Sequence, residues 1–223
     1  MAQVHAGVAR HGFTVFAHEQ TAGKGQRQKT WLAEEGKNLM MSIVIEPESL
    51  FSTPQFRFSM AMAAAVYGLL KKFTDNVKIK WPNDLFLGDR KAGGILIENN
   101  LSGGVWKFAV VGIGLNINQM EFGDLNNKAV SLKQITGKDY NTIALAKELC
   151  CEINGVLKKL KANPKEIEEI YHQQLYKRGE WVKLKKDTRV FEAKIIGVNT
   201  TGQLLVQHAI EETFNVGEVE WVL

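Results

Sequence analysis

The sequence predicts an α+β fold: a mixed, largely antiparallel sheet flanked by helices, followed by a small C-terminal β-barrel. Three observations carry this. Short apolar runs are joined by tight-turn signals at Gly88-Asp89 and Ser102-Gly103-Gly104, returns too short for a parallel crossover. Helical spacing of apolar residues is concentrated in two regions, Phe58 to Phe73 and Ile143 to Leu160. After Arg178-Gly179 the texture changes to short strands and turns alone.

Taken in order, residues 1–11 read as the tail of a helix with a turn at Gly12, and Phe13 to Ala17 alternate as a strand. Residues 19–31 form a polar loop, and Leu39 to Ile45 is a buried strand. Thr53-Pro54 is a helix start, with Thr as N-cap and Pro at the first position. The face Phe58, Met62, Ala65, Val66, Leu69, Leu70 and Phe73 continues that helix. Strands are expected at 77–80, 85–87, 94–97 and 105–111. One helix follows from Asn141 to about Lys161, and a second from Asn163-Pro164 to about Tyr176. Short strands at 181–184, 190–198, 203–207, 213–215 and 219–222 build the barrel. The expected domains are thus 1–177 and 178–223. The second is too small to fold confidently alone, so it is expected to pack on the first.

Composition narrows the function classes. A chain of 223 residues with 45% hydrophobic content holds one sizeable core. Its formal charge of +4 is mild and interleaved with acids, so no nucleic-acid partner is expected. No membrane partner is expected either, since no stretch is apolar enough to span one. The only cysteines, Cys150 and Cys151, are helical neighbours. They read as buried structural thiols in a reducing cytoplasm. The five histidines are scattered, without metal-ligand spacing.

Chemistry concentrates in four segments. The loop Gln20-Thr-Ala-Gly23-Lys24-Gly25-Gln26-Arg27-Gln28-Lys29-Thr30-Trp31 combines bare backbone with three cations, which suits an anion. It equally reads as a solvated basic turn. Lys80-Trp81-Pro82-Asn83-Asp84 is a polar corner between strands. Lys91 stands just ahead of Gly93 and Gly94, either as a solvent-facing hairpin lysine or as a cation against a phosphate or carboxylate. Gly112-Ile-Gly114-Leu-Asn116-Ile-Asn118 ends an apolar strand, its glycines marking a bulge, a close ligand approach or a plain strand terminus. Dinucleotide, P-loop and nucleophilic-serine signatures are absent.

In this order and at these spacings the four segments resemble the biotin protein ligase family, and the likeness runs over nearly the whole chain. The resemblance implies a class II synthetase-like biotin/lipoate ligase fold with an SH3-like C-terminal domain. It also implies the reaction: biotin and ATP, with Mg²⁺, give biotinyl-5′-AMP, and the acyl group passes to a lysine of the biotin carboxyl carrier domain of a biotin-dependent carboxylase. Lys91 and Lys24 would be catalytic. Gln20, Gly23, Lys24, Gly25, Gln26, Lys91, Gly94 and Gly112 would surround biotin. Arg27, Lys29, Trp31, Asn83, Asp84 and Asn116 would surround ATP. Mg²⁺ would arrive with the nucleotide, with no dedicated protein cluster. The family includes monomers and homodimers.

Two departures qualify the likeness. The commoner loop reads Gly-Arg-Gly-Arg-Arg-Gly-Arg, whereas Lys24 here keeps charge without the bidentate fork, and Gln26 and Gln28 replace a cation and a glycine. The family's Ser-Thr-Asn stretch before its first helix has no counterpart, so Met1 is expected to be an internal methionine of a truncated catalytic domain. No helix-turn-helix region precedes, which fits the type without a DNA-binding domain. A lipoate-protein ligase-like enzyme and a biotin-binding chain without turnover are the alternatives.

Overall fold

The protein is described by a computed structural model over residues 8–26, 30–46, 55–103 and 105–222. Two antiparallel sheets share one continuous hydrophobic core. The larger has six strands in the order β1-β2-β6-β5-β4-β3. These are β1 (Thr14–Phe16), β2 (Leu39–Ile45), β3 (Val77–Lys80), β4 (Asp84–Leu87), β5 (Arg90–Ser102) and β6 (Val105–Leu115). Each neighbouring pair is antiparallel. Parallel character is confined to single bridges at Ile79–Leu175, Lys91–Ala129 and Arg178–Ile195.

One face of this sheet carries Met41, Ile43, Ile95, Ile113 and Leu115, all buried in the core. Helix α1 (Gln55–Lys71) lies in that core, and Phe58, Ala61, Met62, Ala65 and Leu69 are sealed from solvent. Met60, Ala63 and Ala64 are buried too, because α3 (Thr142–Ala162) and α4 (Pro164–Gln173) pack against α1. A helix covered on several sides loses its polar face. Ion pairs tie the layer together: Arg57–Glu168 at 2.6 Å, and Lys72 to Glu148 and Glu152 at 2.7 Å each.

Asn141, where the helical period was expected to begin, is the N-cap of α3, its side chain accepting from the Ala144 N–H. Thr53-Pro54 lies outside the described residues. Residues 8–10 are not helical, although the turn at Gly12 is present with φ of 80°. The second helix stops at Gln173 rather than Tyr176. There the chain leaves the helical ladder to bond β3, with Ile79 N–H donating to Gln174 O and Tyr176 N–H to Ile79 O. Strands β5 and β6 run well past 94–97 and 105–111, because they pair with each other from Gly93–Leu115 to Ser102–Val105. A short helix α2 (Leu132–Thr136) was not expected; its Ser131–Gln134 capping box is complete. Cys150 is half-buried and Cys151 exposed, both free, so the expectation of buried thiols fails. The two lie on the flank of α3, whose core face is Leu145, Leu149, Ile153 and Val156.

The second sheet has the order β10-β9-β8-β7-β11. Its strands are β7 (Trp181–Lys186), β8 (Arg189–Val198), β9 (Leu204–Gln207), β10 (Glu211–Phe214) and β11 (Glu220–Trp221). Leu184, Ala193, Ile195, Leu204, Val206 and Phe214 form its buried side. It docks on the first sheet: Trp81 Nε1 donates to Gly202 O at 2.9 Å. Gly202, at φ 91°, leaves no room for a Cβ beside Phe56.

Candidate functional site

The face of the large sheet opposite α1 forms the floor of a cleft of about 600 Å³. Strand register explains its shape. Lys80, Asp84, Gly94, Gly114 and Met40 stand opposite one another in a row across β3, β4, β5, β6 and β2. Two residues further along, Leu96, Gly112 and Ser42 form a second row, and Glu98, Val110 and Val44 a third. Side chains alternate along a strand, so all three rows face the cleft. Three of the inner positions are glycines. The floor is therefore bare backbone where a ligand can lie against the sheet.

Lys91 reaches this face through a β-bulge. Leu85 pairs with Gly93 but Phe86 pairs with Lys91, which makes Ala92 the extra residue. In a regular strand, residues 91 and 94 would point to opposite faces. The inserted residue reverses that relation, and Lys91 comes to share a face with Gly94. Its Nζ lies 2.7 Å from Asp84 Oδ1 and 3.4 Å from where a Cβ on Gly94 would sit. The two side chains are 36% and 21% exposed. An ion pair open to solvent contributes at most about 1 kcal/mol, so a bound anion can displace it.

The bulge is held from below. Lys91 N–H donates to Lys128 O at 2.8 Å, Val130 N–H to Lys91 O at 2.9 Å, and Asn116 N–H to Ala92 O at 2.7 Å. The Asn116 side-chain amide reaches Lys91 O and Val130 O at 3.4 and 3.3 Å. Asn116 is thus buried beneath Lys91 rather than on the cleft wall. Asn83 is likewise tied to backbone, its amide donating to Ile95 O while its own carbonyl accepts from Ile95 N–H.

The glycine loop forms the roof. Gln20, Lys24, Gly25, Gln26 and Trp31 border the cleft, as do Asn83, Asp84, Lys91, Gly94 and Gly112. Lys24 bridges Thr30, and Trp31 N–H donates to Gly23 O at 2.9 Å. Gly23 is the pinch point: a Cβ there would strike the Trp31 carbonyl and come within 2.9 Å of Gln20 Oε1. Arg27 and Lys29 lie outside the described residues. The Trp31 indole lies over Gly114, where a Cβ would come within 2.7 Å of its ring. Lys91 Nζ sits 5.8 Å from that ring's centroid.

Sequence reasoning missed the wall contributed by the second sheet. Val216, Gly217, Val219, Glu220 and Trp221 border the cleft beside Lys80 and Trp81. Phe86, Tyr176 and Trp221 stack in sequence, with centroid separations of 4.9 and 5.8 Å. Behind them the Tyr176 hydroxyl donates to Asp89 Oδ1 at 2.7 Å. That bond holds the Asp89 carboxyl below the usual carboxylate range, with Lys177 assisting. Burial, then Asp89 itself, pushes the Tyr176 phenol above its ordinary value. Among the described residues no three His, Cys, Asp or Glu side chains gather as a metal site. The arrangement can bind an anion at Lys91 and Lys24, against a backbone floor and under an aromatic lid.

Comparison with known proteins agrees with this geometry. The family pattern described as Biotin/lipoate A/B protein ligase matches residues 6–116. The bifunctional ligase/repressor BirA of Bacillus subtilis is 36% identical over 134 residues, 58% of this chain and 41% of that protein. The biotin–[acetyl-CoA-carboxylase] ligase of Paracoccus denitrificans is 36% identical over 105 residues, 46% of this chain and 43% of the relative. The chain thus spans less than half the length of these curated relatives. Among solved structures, the Aquifex aeolicus biotin protein ligase in complex with biotin and ATP superposes with a TM-score of 0.80 at 27% identity, covering 95% of this chain and 89% of the other. The bulged lysine, the glycine-lined floor and the second sheet occur in a chain of that fold, and residues 6–116 belong to the biotin/lipoate A/B protein ligase family.

Proposed function

We propose that this protein is a biotin–protein ligase that activates biotin as biotinyl-5′-AMP and transfers the biotinyl group to a lysine of a biotin carboxyl carrier domain. The observation that carries the reading is the Ala92 bulge, which turns Lys91 onto a glycine-lined floor beside Asp84. The family membership and the ATP- and biotin-bound relative support it.

In the first step a biotin carboxylate oxygen attacks the α-phosphorus of ATP. The O–P bond forms, the bond to the β-phosphate oxygen breaks, and pyrophosphate leaves with the electron pair. Two anions must meet, so the main requirement is fixed positive charge in a site that excludes water. On this reading Lys91 stabilises the converging carboxylate and α-phosphate, and Lys24 adds positive charge from the roof loop. Mg²⁺ enters with the nucleotide as part of the substrate. When the ligand anion takes Lys91 from Asp84, the released carboxylate is placed to accept the proton of the carrier lysine. The resulting neutral amine attacks the acyl carbon, and AMP departs. The two free cysteines suit a reducing cytoplasm.

The test is pyrophosphate release from ATP·Mg²⁺ by the purified chain, with biotin or lipoate as the acid. Release with biotin and not with lipoate is expected. Release with lipoate alone would replace the proposal with a lipoate ligase, and release with neither would leave a binding protein without turnover.

A further inference from the structure

Lys91 is not the only lysine on the cleft floor. Lys80 closes the first row, directly opposite Asp84 across β3 and β4, so two lysines flank one carboxylate. The Lys80 ammonium lies 5.1 Å from the Phe86 ring centroid and 5.3 Å from that of Trp221. Phe86 belongs to the large sheet, whereas Trp221 comes from β11 of the second. The faces of two aromatic rings attract an ammonium and restrict where it can point. The bond from Trp81 to Gly202 fixes the second sheet against the residue next to Lys80. Lys80 is therefore set in position jointly by both sheets.

Its place along the row suggests its task. In-line displacement at phosphorus puts the nucleophile and the leaving group on opposite sides of the reacting centre. The glycine floor of Gly94, Gly112 and Gly114 extends from Lys91 toward β6, away from β3. With the acid lying on that floor, the leaving group exits toward β3 and the second sheet, where Lys80 stands. We propose that Lys80 is a further catalytic residue, a cation that receives the departing pyrophosphate, and that Trp221 is its positioning residue. As the Pα–O bond breaks, its electron pair and negative charge move onto the β-phosphate oxygen, and Lys80 neutralises that charge without a proton transfer.

This inference rests on the ligase reading, and the test separates the two. Wild-type protein is assayed for biotin-dependent pyrophosphate release and, separately, for transfer from added biotinyl-5′-AMP to a carrier domain. The second reaction contains no pyrophosphate. Lys80→Met is expected to slow the first reaction by about 10²-fold, the scale of losing one preorganised charge stabiliser. Transfer is expected to stay within about twofold, because that step does not use the interaction removed. Lys80→Arg keeps the charge and stacks on aromatic faces, and should recover much of the first reaction. Trp221→Leu should weaken the first reaction selectively and raise the inhibition constant of added pyrophosphate. Equal losses in both half-reactions would mean that Lys80 only holds the fold, and an unchanged first half-reaction would remove it from the chemistry. Either result overturns the inference. Absence of both reactions in the wild type would instead overturn the ligase reading.

Discussion

The floor and the second-sheet wall of the cleft are built in opposite ways. The floor is short-range: Asp84, Lys91 and Gly94 lie within one hairpin, and β6 returns along β5 to add Gly112 and Gly114. The wall is long-range: Trp221 reaches Lys80 from across the fold, through the docking of a second sheet. Local chemistry placed the charges, and tertiary docking decides what encloses them. The difference implies that floor substitutions should act on chemistry, and that junction substitutions should act on how firmly the two sheets are held together.

The largest effect is expected on the floor. Lys91→Ala should lower biotin-dependent pyrophosphate release by at least ~10²-fold. Moving the cation by one residue, in the double exchange Lys91→Ala with Ala92→Lys, is the sharper experiment, because the charge stays in the segment while it leaves the cleft face for the core side that Ala92 occupies. If the bulge is what delivers the lysine to the floor, the exchange should be as slow as Lys91→Ala. An exchanged variant that is folded by circular dichroism and retains fast adenylation would show that the facing of residue 91 is incidental.

That pair also marks how far the sequence could be read. The residues of the Lys91-Ala-Gly-Gly segment were visible as a cation beside bare backbone. Which way Lys91 points was not, because the register shift at Ala92 depends on what β4 and the segment 128–130 place beside it. Asn116 illustrates the same limit: the resemblance set it beside ATP, whereas its amide reaches the backbone under the bulge. Buried strands such as Leu39–Ile45 and the helix after Asn141 were legible because hydrophobic period is a local signal. The Ser131–Gln134 capping box was equally local and passed unread because only one turn of helix follows it. Nothing near Trp221 in sequence indicates that it meets Lys80, a contact created only by the packing of two sheets.

An intermediate effect is expected where roof meets floor. Gly114→Ala puts a methyl within 2.7 Å of the Trp31 ring. Overpacking of this kind costs about 1–3 kcal/mol when the neighbour cannot move. Denaturant unfolding of Gly114→Ala, Trp31→Ala and the double variant should show strong coupling, with the double variant more stable than additivity predicts. Additive losses would mean that the indole does not rest on the floor.

The junction should respond more weakly. Trp81→Phe removes the hydrogen bond to Gly202 O while keeping most of the buried ring. A single intramolecular hydrogen bond of this type contributes about 1 kcal/mol. The expected signature is a loss of that size in unfolding free energy, accompanied by a slower first half-reaction and an intact transfer step. Were transfer to suffer equally, the junction would be supporting the whole site and not its pyrophosphate end.

The smallest and most conditional effect is alkaline. The Tyr176 phenol titrates above its ordinary value of 10.0, through burial first and the Asp89 carboxylate second. A group whose folded pKa is raised stabilises the fold fully below the unfolded value, and that contribution is lost as pH rises through the folded one. Stability should therefore decline once pH passes 10, and Tyr176→Phe should flatten that part of the curve. Asp89 carries the opposite sign: its lowered pKa gives a contribution present above about 3.8 and lost as pH falls through the depressed value. Both groups meet in one hydrogen bond behind Trp221, so Tyr176→Phe should relieve the alkaline loss and reduce the acid-side contribution of Asp89 together. If the variant changed only one limb of the stability–pH curve, the two shifts would have separate origins, and the Asp89–Tyr176 bond would not be what braces the aromatic stack against the second sheet.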